Sequence, residues 1–192
     1  MASEAPLSLL TPLTADERRI LLRLARQSIL TALRNEGPPA PETLTAPLLE
    51  PGAAFVSLHI EENLRGCVGT LLADQPLHAT VTHTARSAAF DDPRFPPLVV
   101  AELELVEIEI SRLSAQVPAR PEDIRPGVHG VCIHAGQRRG VFLPQVAQRY
   151  DWDRETLLRE LCQKAMLPPD AWKWPQTSLE IFEAEVFRDD RL

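Results

Sequence analysis

Cysteine is scarce in this chain of 192 residues: Cys67, Cys132 and Cys162 stand far apart, in no paired motif. That spacing excludes a thioredoxin-like redox pair, a zinc-ligand set and a disulfide framework, and it suits a reducing compartment. Basic residues are outnumbered, 20 against 27 acidic, for a formal net charge of −7, which argues against general attraction to nucleic acid or to an anionic membrane surface. The first residues lack the cationic start and apolar block of a signal peptide, and no segment reaches the ~18 consecutive apolar residues of a membrane span. A cytoplasmic protein without membrane attachment is therefore expected. Also missing are a phosphate-cradling glycine fingerprint, a Gly-x-Ser-x-Gly elbow and a His-Glu-x-x-His zinc helix. His78 and His83 stand five apart, not the four that puts two ligands on one helical face, and read as surface histidines. The residues name no metal site and leave any cofactor unidentified.

Proline is plentiful. Its 18 occurrences are about double the ordinary ~5 per cent usage, so connections are numerous and stiff. Residues 1–14 read as a tail ahead of one folding unit over 15–188. A helix is expected over 15–35, opened by the capping-box spacing of Thr14 and Glu17 and stopped by Gly37. Its arginines, Arg18, Arg19, Arg23, Arg26 and Arg34, read as a solvated face. A proline-rich connector over 37–52 leads to strands at 54–60 and 64–72, joined by Glu61-Glu62-Asn63 into a hairpin. A helix over 76–90, capped by Asp74, carries an alanine stripe suited to close packing on a sheet. A strand over 102–113 is expected, with a phase slip between Leu105 and Val106 and with Glu102, Glu104, Glu107 and Glu109 turned to water. Further on come strands at 131–134 and 141–143, a helix over 154–166 capped by Asp153 with Cys162 as core filler, and a β-rich segment over 179–187. Trp172 and Trp174 are expected to anchor a proline-rich loop rather than to stack on a ligand.

The densest chemistry lies in Leu64-Arg65-Gly66-Cys67-Val68-Gly69. Residues i and i+2 of a strand share a face, so Arg65 and Cys67 are expected to point the same way, and a neighbouring cation favours the thiolate. Gly66 and Gly69 mark a bulge or a place where another backbone or a ligand comes close. A three-residue hairpin loop aligns Cys67 with the face of Ser57 and His59 and offers His59 as a base. A four-residue loop aligns it with Val56 and Leu58 and buries the thiol in apolar company. His129, in a glycine-flanked turn, is the candidate base from a distant part of the chain. Asp92, Arg94 and Phe95 follow the second helix in a turn suited equally to charge-assisted locking and to ligand binding.

The ordered runs Phe55-Val56-Ser57-Leu58, Leu64 through Gly69, Asp92-Pro93-Arg94-Phe95, Ile110-Ser111-Arg112-Leu113, Gly140 through Val146 and Leu161-Cys162-Gln163-Lys164-Ala165 resemble the AMMECR domain family. Its bacterial members are described as protein A of the AmmeMemoRadiSam system. The resemblance implies an α+β fold with a mixed, largely antiparallel sheet, flanking helices, and a larger and a smaller lobe with a cleft between them near the signature strand. It also implies a Memo-like protein and a radical S-adenosylmethionine protein as partners, and no established reaction; the oligomeric state stays open. The chain departs from the family pattern at Val68, where isoleucine is frequent, and at Met166, where a glycine often ends the helix.

Three functions fit these residues. One is an enzyme, or enzyme component, with Cys67 as nucleophile or redox thiol, Arg65 favouring the thiolate and His59 or His129 as base. Another is a scaffold whose cleft, rimmed by Arg65, Asp92, Arg94 and Phe95, holds a partner or ligand. In the third, Gly66 and Cys67 serve only the packing of the hairpin.

Overall fold

A computed structural model describes residues 10–39 and 43–189; most of the expected tail and part of the proline connector lie outside them. The helices are α1 Ala15–Leu33, α2 Ala46–Leu49, α3 Leu77–Phe90, α4 Val100–Leu103, α5 Pro144–Arg149 and α6 Arg154–Lys164. The strands are β1 Ala53–Ile60, β2 Asn63–Thr70, β3 Glu107–Leu113, β4 Val117–Ala119, β5 Gly130–Ala135, β6 Arg138–Phe142, β7 Ser178–Phe182 and β8 Ala184–Arg188. They form two four-stranded sheets, ordered β2-β1-β3-β8 and β4-β7-β5-β6, with antiparallel pairing of β1 to β2 and β3 and of β7 to β4 and β5. The α+β class with antiparallel pairing is as expected, but the strands are divided between two sheets. The chain leaves the first sheet after Leu113 and rejoins it with β8. Among the described residues two compact units result, one built mainly of the chain from Thr11 to Leu113 with β8, the other of Ser114–Ala184.

In the first unit, Thr14 and Glu17 form the capping box, with Glu17 N–H donating to Thr14 Oγ1 and Thr14 N–H to Glu17 Oε2. The stop after α1 is made by Asn35 rather than Gly37. Asn35 takes φ 57°, and the N–H groups of Asn35 and Glu36 close back on the carbonyls of Ala32 and Thr31, a left-handed stop that asparagine tolerates better than most residues. The arginine face is only partly solvated. Arg18 pairs with Glu185 at 2.8 Å, and Arg26 binds Asp189 and the carbonyls of Leu103 and Val106. Leu13 is buried, and its N–H donates to Glu185. The connector contains the short turn α2, which buries Leu48. α3 has no side-chain cap; the Leu77 N–H goes to the Glu50 carbonyl at 2.8 Å, so Asp74 does not play the expected part. The expected long strand begins only at Glu107 because 100–103 form α4, and the phase slip at Leu105 and Val106 is the junction between them. Val56, Leu58, Ile108 and Ile110 meet Leu21, Ile29, Val81, Ala85 and Ala88 in one core, the alternate residues of two strands facing the stripes of two helices.

In the second unit, β5 and β6 join through a turn at Gly136, φ 63°, so β6 starts earlier than the alternation suggests. α5 is an unanticipated helix with proline in its first turn, the position where the missing N–H costs nothing. α6 is capped by Asp153, which accepts from Thr156 N–H at 2.8 Å, and it buries Leu157, Leu158, Leu161 and Cys162. Trp172 packs against this core, as expected of an anchor, while Trp174 stays partly exposed.

At the end of α6, Met166 is 76% exposed and takes φ 56°. Its N–H bonds the Gln163 carbonyl, and the Leu167 N–H bonds the Cys162 carbonyl, a Schellman closure that prefers glycine at this place. Met166→Gly is expected to stabilise the fold by about 1 kcal/mol, read as a higher urea midpoint at unchanged slope. An unchanged or lower midpoint would show that the left-handed methionine carries no net cost.

Candidate functional site

The hairpin around Cys67 is built from a two-residue turn and a bulge. Glu61 and Glu62 both take positive φ, 50° and 67°, as a type I′ turn requires. Ile60 pairs with Asn63 and His59 with Leu64, but Leu58 pairs with Gly66, leaving Arg65 as the extra residue. Turn plus bulge restores the register of a three-residue loop. Ser57 then stands opposite Cys67, the alignment in which the thiol shares a face with Ser57 and His59, and Ser57 Oγ donates to Cys67 Sγ at 3.3 Å.

The bulge also breaks the pleat at Arg65, so spacing no longer sets its direction. Arg65 Nε and Nη2 donate to Glu102 Oε1 and Oε2 at 2.8 and 2.9 Å, and Glu102 Oε2 also accepts from Val99 N–H. Arg65 is the first cause holding the Glu102 carboxyl below its usual range, against burial. Two of the three Arg65 nitrogens are thus bound to a carboxylate that the alternation had assigned to solvent, while Nη1 is buried without a hydrogen-bond partner among the described residues.

The two glycines are explained by close approach. A Cβ on Gly66 would lie 2.1 Å from the Ala88 carbonyl oxygen of α3, and one on Gly69 would lie 2.2 Å from the Phe55 ring. These approaches are made by the protein's own backbone and side chain.

β2 is an edge strand, and Cys67 turns both main-chain polar groups outward. Its N–H donates to Asp92 Oδ2 at 2.8 Å, and its carbonyl accepts from Arg94 Nη2 at 3.3 Å. Arg94 donates twice more through Nε and Nη2 to the two oxygens of Asp92, at 2.9 and 2.7 Å. This pair does what a neighbouring strand would do, satisfying an exposed edge. The Arg94 guanidinium is the main cause holding the Asp92 carboxyl far below the usual carboxylate range, joined by the Cys67 and Arg94 N–H groups and opposed by burial. The Asp92 side chain is 3% exposed and that of Arg94 56%. Arg94 is held charged by Asp92 first and also by Cys67, and its guanidinium lies 5.5 Å from the centroid of the Phe95 ring. Cys67 is intermediate in exposure, whereas Cys132 and Cys162 are buried. Burial, with Glu180 adding, pushes the Cys132 thiol up to about 12, and burial also raises that of Cys162.

His59 lies two residues along β1 from Ser57, between Leu64 of β2 and Glu107 of β3. Burial is the largest cause pushing its imidazole below the usual histidine range, opposed by Glu109 and Glu107 and reinforced by Arg188. Its Nδ1 is buried without a hydrogen-bond partner. His129 belongs to the other unit. It is buried there, its Nδ1 accepts from Arg125 N–H at 3.2 Å, and burial followed by Arg125 pushes it down. Sequence reasoning missed Ser57 as a polar partner of the thiol, although one of its two registers placed the pair face to face. It also missed Glu102, for which no local signal exists. Glu109, expected in water, stands beside Ser57 in β3 and binds Arg188 at 2.6 Å. Among the described residues, no group of three or more His, Cys, Asp or Glu is arranged to hold a metal ion, and no helix is long and apolar enough to cross a membrane.

The family model for AMMECR1 matches residues 22–187. A protein of Methanothermobacter thermautotrophicus is 38% identical over 187 residues, covering 93% of this chain and 97% of the relative. One from Aquifex aeolicus is 36% identical over 179 residues, covering 89% and 92%. Among solved structures, the crystal structure of the uncharacterized protein PH0010 from Pyrococcus horikoshii superposes with a TM-score of 0.87 at 33% identity, covering 93% of this chain and 94% of that one.

Two substitutions test the edge. Asp92→Asn is expected to cost about 1–3 kcal/mol at neutral pH, because buried charge-assisted bonds are weakened. Since the native carboxyl titrates below the unfolded one, its contribution is present above the unfolded value of ~3.9 and fades as pH falls below it. Urea denaturation of both proteins from neutral to acid pH should therefore show the gap narrowing, and a pH-independent gap would contradict the assignment. Gly66→Ala is expected to cost about 2–4 kcal/mol, since the obstructing atom is backbone, again read from urea midpoints. A loss within experimental error would show that α3 yields freely.

Proposed function

The chain belongs to the AMMECR1 family, and from that membership and the edge geometry we propose that it is a cytosolic enzyme, or enzyme component, whose reacting group is the Cys67 thiol. The observation that carries the reading is the clamp on Cys67: main-chain N–H to Asp92, main-chain carbonyl to Arg94, and Sγ 3.3 Å from Ser57 Oγ. A partly exposed thiol held this way beside a charged guanidinium matches the setting in which cysteines react. Acting as nucleophile, Cys67 forms a sulfur–carbon bond to an electrophilic substrate as the leaving group departs with its electron pair. The thiol proton passes to His59, which burial keeps in the neutral, proton-accepting form. Arg94, in place of Arg65, supports the negative charge. The three free cysteines support a reducing cytosol. The resemblance to protein A supports a Memo-like protein and a radical S-adenosylmethionine protein as co-workers.

A second reading, a binding module without chemistry, is favoured by one observation. Asp92 and Arg94 both bond the main chain of Cys67, so they would hold the edge equally well for a partner. Cys67→Ser would then spare partner binding.

Site-resolved iodoacetamide labelling of the folded protein, read by mass spectrometry, tests the thiol reading. Cys67 is expected to label well before Cys132 and Cys162. Arg94→Gln and His59→Gln should each slow it several-fold at neutral pH, and Arg65→Gln should act only as far as it loosens the hairpin. Labelling of Cys67 only after denaturation, or indifference to both Arg94 and His59, would remove the enzyme reading and leave the binding module.

A further inference from the structure

Within the first unit, on the helical side of the sheet, a cavity of about 370 Å³ opens where the chain after α1 passes over α3. Its size falls in the ~300–1,000 Å³ range of small-molecule sites. One wall is Pro38 and Pro39, and the floor is the face of α3 carrying His78, Ala79 and Arg86. Positions 78, 82 and 86 form a single ridge at i, i+4 and i+8, so the cavity runs along roughly 12 Å of helix.

The polar groups of this lining sort into two kinds. The hydroxyls are committed: Ser28 Oγ donates to the Thr82 carbonyl at 2.6 Å, and Thr82 Oγ donates to the His78 carbonyl at 2.7 Å. Their methyl and methylene groups, with the two prolines and Ala79, supply an apolar interior. The uncommitted side chains are His78, His83 and Arg86, and no carboxylate lines the cavity among the described residues. Arg86 is exposed and has no ion-pair partner among the described residues, in a chain where acidic residues outnumber basic ones. Arg18, Arg26, Arg65 and Arg112 are all consumed by internal carboxylates.

We infer that this cavity binds a small organic monocarboxylate, its carboxylate on the Arg86 guanidinium and its apolar body against Pro38, Pro39 and Ala79. A guanidinium fork matches a carboxylate in plane and with two parallel bonds. Arg86 is the one guanidinium of the lining among the described residues, which suits a monoanion better than a phosphate. Burial alone pushes the His78 imidazole below its usual range, so it offers a neutral donor or acceptor at the far end of the cavity and adds no second positive charge at neutral pH. The site is separate from the Cys67 edge, since α3 meets β2 through Ala88, while the cavity uses residues 78–86 of the same helix.

Titration of the protein with isocaproate, followed by the backbone amide signals of residues 78–86 in heteronuclear NMR, tests this. Saturable shifts are expected at those residues and beside Ser28 and Pro38, with isocaproamide and inorganic phosphate each binding more weakly by about tenfold or more. Arg86→Gln should weaken isocaproate by about tenfold with the rest of the spectrum unchanged. Ala79→Leu, which fills the cavity and keeps the arginine, should abolish binding. Absence of saturable shifts, equal binding of the neutral amide, an indifferent Arg86→Gln protein or tighter binding of phosphate would each overturn the proposal.

Discussion

The carboxylate of Asp92 is the contact on which the candidate site depends. One oxygen takes the Cys67 N–H, and both take the Arg94 guanidinium, whose remaining reach closes on the Cys67 carbonyl. An edge strand exposes unpaired main-chain groups that invite pairing with another chain. Here two side chains from a turn do the pairing, and the consequence is a thiol whose backbone is fixed on both sides. The position of Asp92 is itself inherited. Gly66 has no side chain, so the Ala88 carbonyl can sit against β2. The turn after α3 folds back through Leu98 N–H to the Ala89 carbonyl, which brings Asp92 to the strand.

Charge in this molecule works mostly as internal fastening. Glu185 gathers Leu13 N–H, Arg18 and Arg112; Asp189 gathers Arg26 and Ile108 N–H; Glu102 gathers Arg65 and Val99 N–H. Each carboxylate joins elements far apart in the chain, and each is partly buried, where charge-assisted bonds are worth more than at an exposed surface. The functional meaning lies in what is left over. Arg94 keeps half its surface in water while holding the edge, and Arg86 has no internal carboxylate. Both cations can meet something from outside.

Much of the local structure was legible from residue types. The capping box at Thr14, the cap at Asp153, the alternation of β1 and the alanine stripe of α3 are short-range devices, set by hydrogen bonds or contacts within a few residues. Other features were not. α4 and β3 read as one strand because acidic and apolar residues alternate through both, whereas in the fold Leu103 docks against the core and Arg26 binds the Leu103 and Val106 carbonyls at their junction. Asp74 had the chemistry of a cap, but Glu50 supplied the acceptor from across the fold.

The sequence by itself determined the α+β class, the hairpin bearing Cys67, and the motifs by which the family is recognised, because period, cap and turn chemistry act over a few residues. The direction of Arg65, the use of Gly66 and the partners of Cys67 were decided only by the tertiary structure. One bulged residue redirects a side chain that spacing had aimed at the thiol. Glu102, Ala88, Asp92 and Arg94 lie more than twenty residues from the atoms they meet. Such pairings follow from how sheet and helices pack, a long-range result that no local pattern carries.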